Sequence, residues 1–462
     1  MNDSKKEYIE LYSDNHQDTA LFKRELKDYI INLKNSFLTD FKNINFPECS
    51  SSFYYDIFDS IKEKDNICFE NCHFFFNDIT HKGNSIFKDS KVTFKNCIFK
   101  SSWNISPDVN YPSIQLKYES CIFKDTLRIG YIDSYIRFKD CSFTNIELEN
   151  CDISNDIFTN KKDIKYNINK IFINNCTFKE KFKLNNYSFQ EFNCTNSHFE
   201  NKFEFKNNNI IKFNIYNSNF GKIADMFSST FIQFKISKSI FNDFTGFENC
   251  IFGTSNNLIE ELAEFEYVTF KDILTLRNTK FLSGLNLENI NLLNDANFLK
   301  IIVAFKNTPR ETFRLIKHSF DKISNSIEAN KFFIKEMTKY KEELKKEPLI
   351  GNIQEKLVFN LNNIFSSFGQ SYFQPLFYIC CFAFVYQFIL YGYEKNWLYE
   401  IYTPANQYVQ IILDFFNNMV KNILPIAKFL KKDLEFISLI FYIIFSVLTW
   451  QTIVSIKRHT KR

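Results

Sequence analysis

Two groups of residues in this chain of 462 carry side chains able to do chemistry. Cys68, Cys72, His73 and His81 bring four metal-ligating groups into one short stretch, and thiolate with imidazole is the donor set of zinc sites. In the second half, His318, Glu328 and Glu336 are the residue types of general acid and base work. Neither pattern is complete. No second Cys-x-x-Cys or His pair finishes a zinc spacing, and the second group falls where exposed charges of amphipathic helices are expected. The chain also lacks a phosphate-cradling glycine loop and a nucleophile elbow. The expectation is a protein without catalysis, without a cofactor and without a bound metal.

Most of the cysteines answer to a different rule. Phe94 opens the string FKNCIF, and relatives recur as FENCHF from Phe69, YESCIF from Tyr118, FKDCSF from Phe138, INNCTF from Ile173 and FENCIF from Phe247. In each, the cysteine lies two before a phenylalanine, so on a strand both point to the same face. Ten of the twelve cysteines come before residue 251, at a repeated position that suits a small buried hydrophobe better than a disulfide framework. Cys72, Cys97, Cys121 and Cys141 follow one another at 20 to 25 residues, and Ser197, Ser218 and Ser239 at 21. Such a period is the mark of a solenoid. The totals agree: 57 Phe and 23 Tyr against 9 Gly and 8 Pro leave few turn-formers for a many-hairpin β-protein. With 57 basic and 53 acidic residues, net +4, there is no basic stripe for nucleic acid.

A second period of five lies inside the first, as between Phe94 and Phe99, Phe138 and Phe143, Phe247 and Phe252, and Phe265 and Phe270. Five-residue steps with a large central residue and a small one two before it resemble the pentapeptide-repeat family. That resemblance implies a right-handed β-helix in which four pentads make one square coil. On it, Phe74, Phe99, Phe123, Phe143, Phe178, Phe220, Phe241 and Phe252 are central residues, and Cys72, Cys97, Cys121, Cys141, Cys176, Ser218, Ser239 and Cys250 their small partners. The chain departs from the family where Asp or Asn normally precedes the central residue. Here Asn71, Asn96, Asp140, Asn175 and Asn249 precede the cysteine instead. A three-sided right-handed β-helix is the structural alternative.

The expected organisation is mainly β with α. Residues 1–60 are read as helical or irregular, with a helix near Thr19 to Phe37; 61–297 as the right-handed β-helix; 298–350 as a helical hairpin; 351–462 as a membrane domain. Thr308-Pro309-Arg310-Glu311 and Asn325 with Glu328 are start signals for the hairpin helices. Phe313, Ile316, Phe320 and Ile323 form the first apolar stripe, and Ile327, Phe333, Met337, Tyr340 and Leu344 the second. The string beginning FRLIKHSF is similar to the helical segment after the repeats in membrane-bound bacterial members of the same family.

Two uncharged runs, about 373–393 and 436–456, each match the ~20 residues that cross a bilayer. Gln374, Pro375 and Gln387 interrupt the first. Lys457, Arg458, Lys461 and Arg462 follow the second at once and, by the positive-inside rule, place that end in the cytoplasm. Two spans then return the solenoid to the same side, consistent with an amino terminus that shows no secretory signal. Between the spans, Trp397 marks a boundary, and Tyr408 to Leu430, broken by Pro425, reads either as an interfacial helix or as a pore loop that dips into the membrane. Within it Asp414 is the sole candidate for a selectivity ring. The expected role is a scaffold on a bacterial inner membrane, multi-pass, with an unidentified protein partner on the solenoid face and no nucleic acid. The alternative is an oligomeric channel or transport component with the solenoid as its regulatory domain.

Overall fold

In the coil from Asn208 to Ser228 the buried side chains come in pairs two residues apart: Asn208 and Ile210, Phe213 and Ile215, Ser218 and Phe220, Ala224 and Met226. Ser229 and Phe231 then begin the next coil. The pairs start five, five, six and five residues apart, which makes a 21-residue coil with four inward sides. A computed structural model of the chain describes residues 19–34, 39–48, 53–54, 56–57, 66–75, 80–81, 84–85, 91–105, 115–130, 135–159, 165–256, 258–346, 353–394, 411–412, 415, 418–419 and 435–460. Over these, the first unit, ending at Pro309, is a parallel β-solenoid of about ten turns.

The sides of successive coils pair in parallel, with register shifts where Ile122–Gly130 meets Ser142–Glu149 and where Ala263–Phe270 meets Leu285–Leu292. Asn209–Tyr216 lies parallel to Thr230–Ser237, Asn219–Phe220 to Ile240–Phe241, and Phe203–Glu204 to Ala224–Asp225. Corners are made by residues of positive φ. Asn175, Asn186, Asn196, Asn207, Asn217, Ser228, Lys238 and Asn249 all lie between +48° and +64°, alternately ten and eleven apart, so each coil has two such corners. Asn and Asp tolerate this left-handed conformation better than other residues with a Cβ. That is why the polar residue of the recurring string stands immediately before the cysteine and not before the ring.

The ladder reaches past both expected boundaries. Thr39–Lys42 pairs with Asn66–Glu70, Asn45–Phe46 with His73–Phe74, and Ile302–Val303 with Lys280–Phe281, so solenoid strands run from 39 to 303 where 61–297 was expected. FKNINF, from Phe41, is a first copy of the string with Ile44 in the cysteine position. Helix α1 (Thr19–Lys34) buries Phe22, Leu26 and Ile30, one face at four-residue spacing. Its Phe22 ring meets Phe46 edge-on at 6.2 Å, and Tyr29 lies 5.6 Å from Phe41. The helix thereby covers the first coil, whose inner face has no preceding coil to bury it.

The second unit, from Arg310, is helical: α2 (Arg310–Lys322), α3 (Ser326–Lys346), α4 (Ile353–Ser366), α5 (Phe373–Glu394) and α6 (Glu435–Thr460). Helices α2 and α3 form the expected hairpin, around Phe313, Ile316, Phe320, Ala329 and Phe332. Ile323 and Ile327, placed in the apolar stripes by sequence, are exposed instead, because they flank the turn where no partner helix covers them. The Asn325 side chain caps α3 by accepting from Glu328 N at 3.3 Å. Thr308 does not cap α2: its hydroxyl donates to Ala304 O at 2.6 Å and accepts from Leu285 N at 3.1 Å, closing the last coil.

Among the described residues, two helices are long and apolar enough to cross a membrane, over Phe373–Gly392 and Ile437–Arg458. They share one seam of Ile379, Ala383, Tyr386, Leu390, Phe441, Phe445 and Leu448. Away from it, Phe377, Phe384, Phe388, Ile443, Trp450 and Ile453 are exposed.

Candidate functional site

Each repeat-core residue singled out in the sequence lies inside the solenoid, with Phe143, at 4% exposure, the most accessible. They do not form one column. Phe74, Phe99, Phe123 and Phe143 stack in successive coils with ring centroids 4.5 to 5.2 Å apart. Phe178, Phe220 and Phe241 stand half a coil away, with Phe199 between the first two; their spacings are 4.9, 5.0 and 4.4 Å. Phe252 stacks with Phe231 and Phe281, not with Phe241. Sequence reading merged two columns because both spell the same string. Cys141 and Cys176 are therefore not neighbours; Cys176 follows Cys151, whose carbonyl accepts from Thr177 N at 2.8 Å. Cys151 itself escaped notice because Ile153 replaces the ring.

The small partner must fit beside a ring and satisfy a carbonyl. Cys97 Sγ donates toward Lys95 O at 3.3 Å and Phe69 O at 3.4 Å. Ser218 Oγ donates to Tyr216 O at 3.0 Å and accepts from Ser197 N at 3.2 Å, while Ser218 N donates to Ser239 Oγ at 3.1 Å. Cysteine and serine both meet the requirement, and the serine column adds a bond between coils. Burial pushes the thiols of Cys72 and Cys121 up, and that of Cys250 to about 12. These thiols are core groups, not nucleophiles.

The outward positions carry alternating charge. Lys170, Glu191 and Lys212 occupy one row across three coils, with Glu191 3.5 Å and 3.6 Å from the two lysines. Asn193 and Asn214 form a parallel ladder at 3.0 Å. On another side, burial opposes ionisation of Glu204, but hydrogen bonds from Lys181 and Asn185 and the charges of Lys181 and Lys202 outweigh it. Its carboxyl is held at about 2.

The two chemical groups considered first do not assemble. Cys68 is half-buried on the outer face of Asn66–Glu70, while Cys72 points inward, and no metal-binding cluster occurs among the described residues. His318 is exposed and Glu328 pairs with Lys331 at 2.6 Å. Glu336 is buried in α3, where desolvation raises its carboxyl despite Lys317, Arg314 and Arg310.

Of the four basic residues that set the expected topology, Lys457 is exposed, while Lys461 and Arg462 lie outside the described residues, as do Trp397, Asp414 and Pro425. Arg458 is not a simple flanking charge. Its Nη1 donates to Phe368 O, and its guanidinium lies 4.6 Å over the Phe333 ring. Ser367, Phe368 and Gly369 all have positive φ, and a Cβ at Gly369 would come within 2.9 Å of Arg458 Nη1. This loop therefore wraps the side chain closely. No family model, curated protein or solved structure matches the chain.

Proposed function

We propose that the chain is a membrane-anchored scaffold of the pentapeptide-repeat type, whose solenoid presents its outward face to a protein partner. The observation that carries the anchor is the contrast within α5 and α6, where one narrow seam is buried and bulky side chains such as Phe377, Phe388, Ile443 and Trp450 stand exposed. In water such a surface would aggregate. Helix α4 adds to it: Ile353, Leu357, Leu361 and Ile364 make an exposed apolar stripe, as in helices that lie along a bilayer surface. Four inward pairs per coil, several of them a small residue followed by a large one, as in Ser218 and Phe220, support the family reading. Regular outward rows of Lys, Glu and Asn offer a repeated surface for recognition. On this reading the membrane is a bacterial inner membrane and both termini are cytoplasmic, from the basic run 457–462 that begins in the last turn of α6.

A channel draws less support. Several polar residues of the spans turn into the helix pair: Tyr386 donates to Ser438 at 2.7 Å, and Gln387, Thr452 and Ser455 are buried, while Thr449 is half-buried and Ser446 exposed.

Topology is tested by reporter fusions at residue 410 and at the carboxyl terminus of the full chain. The expected result is a reporter outside the cytoplasm at 410 and inside it at the terminus. Two cytoplasmic reporters would remove the two-span anchor. The mass of the detergent-extracted chain is compared with that of a soluble chain ending near Pro348. A tetramer or pentamer seen only with the spans would favour the channel instead.

A further inference from the structure

The helical unit holds a cavity of about 340 Å³ lined by Lys317 and Asp321 of α2, Ser324 in the turn, Ser326, Asn330 and Phe333 of α3, and Arg458 of α6. Lys317 and Asp321 pair at 2.9 Å, which accounts for the only carboxylate in the lining. Arg458 is half-buried with its Nη1 on Phe368 O and its face on Phe333, and among the described residues no carboxylate pairs with it. A guanidinium partly removed from water without a counter-ion is costly, yet this one is fixed in place by the positive-φ loop around it. A charge held at that cost, facing a cavity with one more cation than carboxylate, is arranged for an anion. Ser324, Ser326 and Asn330 line the same space, and hydroxyls and amides are donors that oxyanions accept from.

The position of the cavity narrows the choice of anion. Arg458 ends the apolar run Ile437–Arg458, so where α6 crosses a bilayer the cavity opens at the level of the headgroups. We propose that it binds the phosphate of an anionic lipid headgroup, held by Arg458, Lys317 and the two serine hydroxyls. This rests on the reading of α6 as a span. Free phosphate shares the chemistry but has no reason to be met at that depth.

The full chain in neutral detergent is followed by native mass spectrometry while phosphatidylglycerol, phosphatidylcholine or inorganic phosphate is added. Phosphatidylglycerol is expected to be retained about tenfold more strongly than phosphatidylcholine, the scale of one charge-assisted contact. The preference should vanish in Arg458→Gln and in Ser324→Asp, which puts a carboxylate into the lining without touching the Arg458 contacts. Lys457→Gln, which removes an exposed neighbouring charge, should keep it. Equal retention of the two lipids, or equal loss in all three variants, overturns the proposal. Inorganic phosphate that displaces phosphatidylglycerol supports a shared phosphate site, whereas phosphate bound with no lipid preference overturns the lipid as its source. A chain that fails to enter micelles defeats the span itself, and shows it before any ligand is added.

Discussion

The solenoid and the paired helices α5 and α6 are both rich in aromatic and branched side chains, and they place them oppositely. In the solenoid, Phe94, Phe99, Phe220 and Phe241 are fully buried, and rows of Lys, Glu and Asn face water together with scattered apolar side chains such as Ile122, Tyr216, Ile240 and Tyr267. In the helix pair the seam is narrow, and Phe377, Phe388, Ile443 and Trp450 face outward. The first arrangement is the hydrophobic effect acting in water. The second suits surroundings that are themselves apolar. This contrast is what supports the proposed membrane anchor.

The sharpest way to break this contrast is to remove one ring from each region. Phe220→Ala is expected to cost about 3–5 kcal/mol, measured by denaturant unfolding of the detergent-extracted chain, because Phe220 stacks between Phe199 and Phe241. Trp450→Ala, on the exposed face of α6, should cost under about 0.5 kcal/mol in the same assay. Similar losses at both positions would erase the distinction.

The corners come next. Asn217→Val, at φ 48°, should destabilise the solenoid by about 1–2 kcal/mol through the left-handed penalty. Asn217→Gly should cost less than the valine, since glycine has no Cβ to clash. A valine as stable as the glycine would mean the corner conformation is not strained.

The smallest effects are expected from two acids, and their pH dependence has opposite sign. Glu204 in the solenoid has its carboxyl lowered to about 2 from the usual 4.5. Its contribution is complete above 4.5 and is lost as pH falls through about 2. Glu336 in α3 is raised above 4.5 by desolvation. The balance there is most favourable below 4.5 and worsens as pH rises through the raised value. Thermal melts at pH 7 should show Glu204→Gln lowering the midpoint and Glu336→Gln raising it. The difference made by Glu336→Gln should disappear at pH 4. A Glu336→Gln that destabilises at pH 7 would mean that Lys317, Arg314 and Arg310 outweigh burial.

What could be read from sequence was what repeats along one strand. Alternation by two placed Cys97 and Phe99 inward without further information, and the uncharged runs marked both long helices. What could not be read was which copies touch. Cys141 and Cys176 stand in similar strings and have different neighbours in space, because corners half a coil apart impose the same local demand. Ile44 hid the first copy and Ile153 another, since each supplies the volume without the expected letters. Arg458 looked like a topology signal because its partners, Phe333 and Phe368, are far away in the chain.

The alternating corners also set how this molecule can change in length. Between Asn249 and Asn278 the chain spends more than the usual 21 residues. The excess includes the short helical turn Ile259–Glu261, whose Glu261 accepts from Thr254 N at 2.8 Å and from Ser283 Oγ at 2.9 Å. Phe252 still stacks on Phe281 across it. An insertion such as this one can thus leave a coil as an outward excursion, while growth along the axis comes in whole coils, each advancing the solenoid by about 4.8 Å. Length in this solenoid is therefore inherited in discrete steps, as in a ruler lengthened one division at a time, whereas its circumference is free to drift.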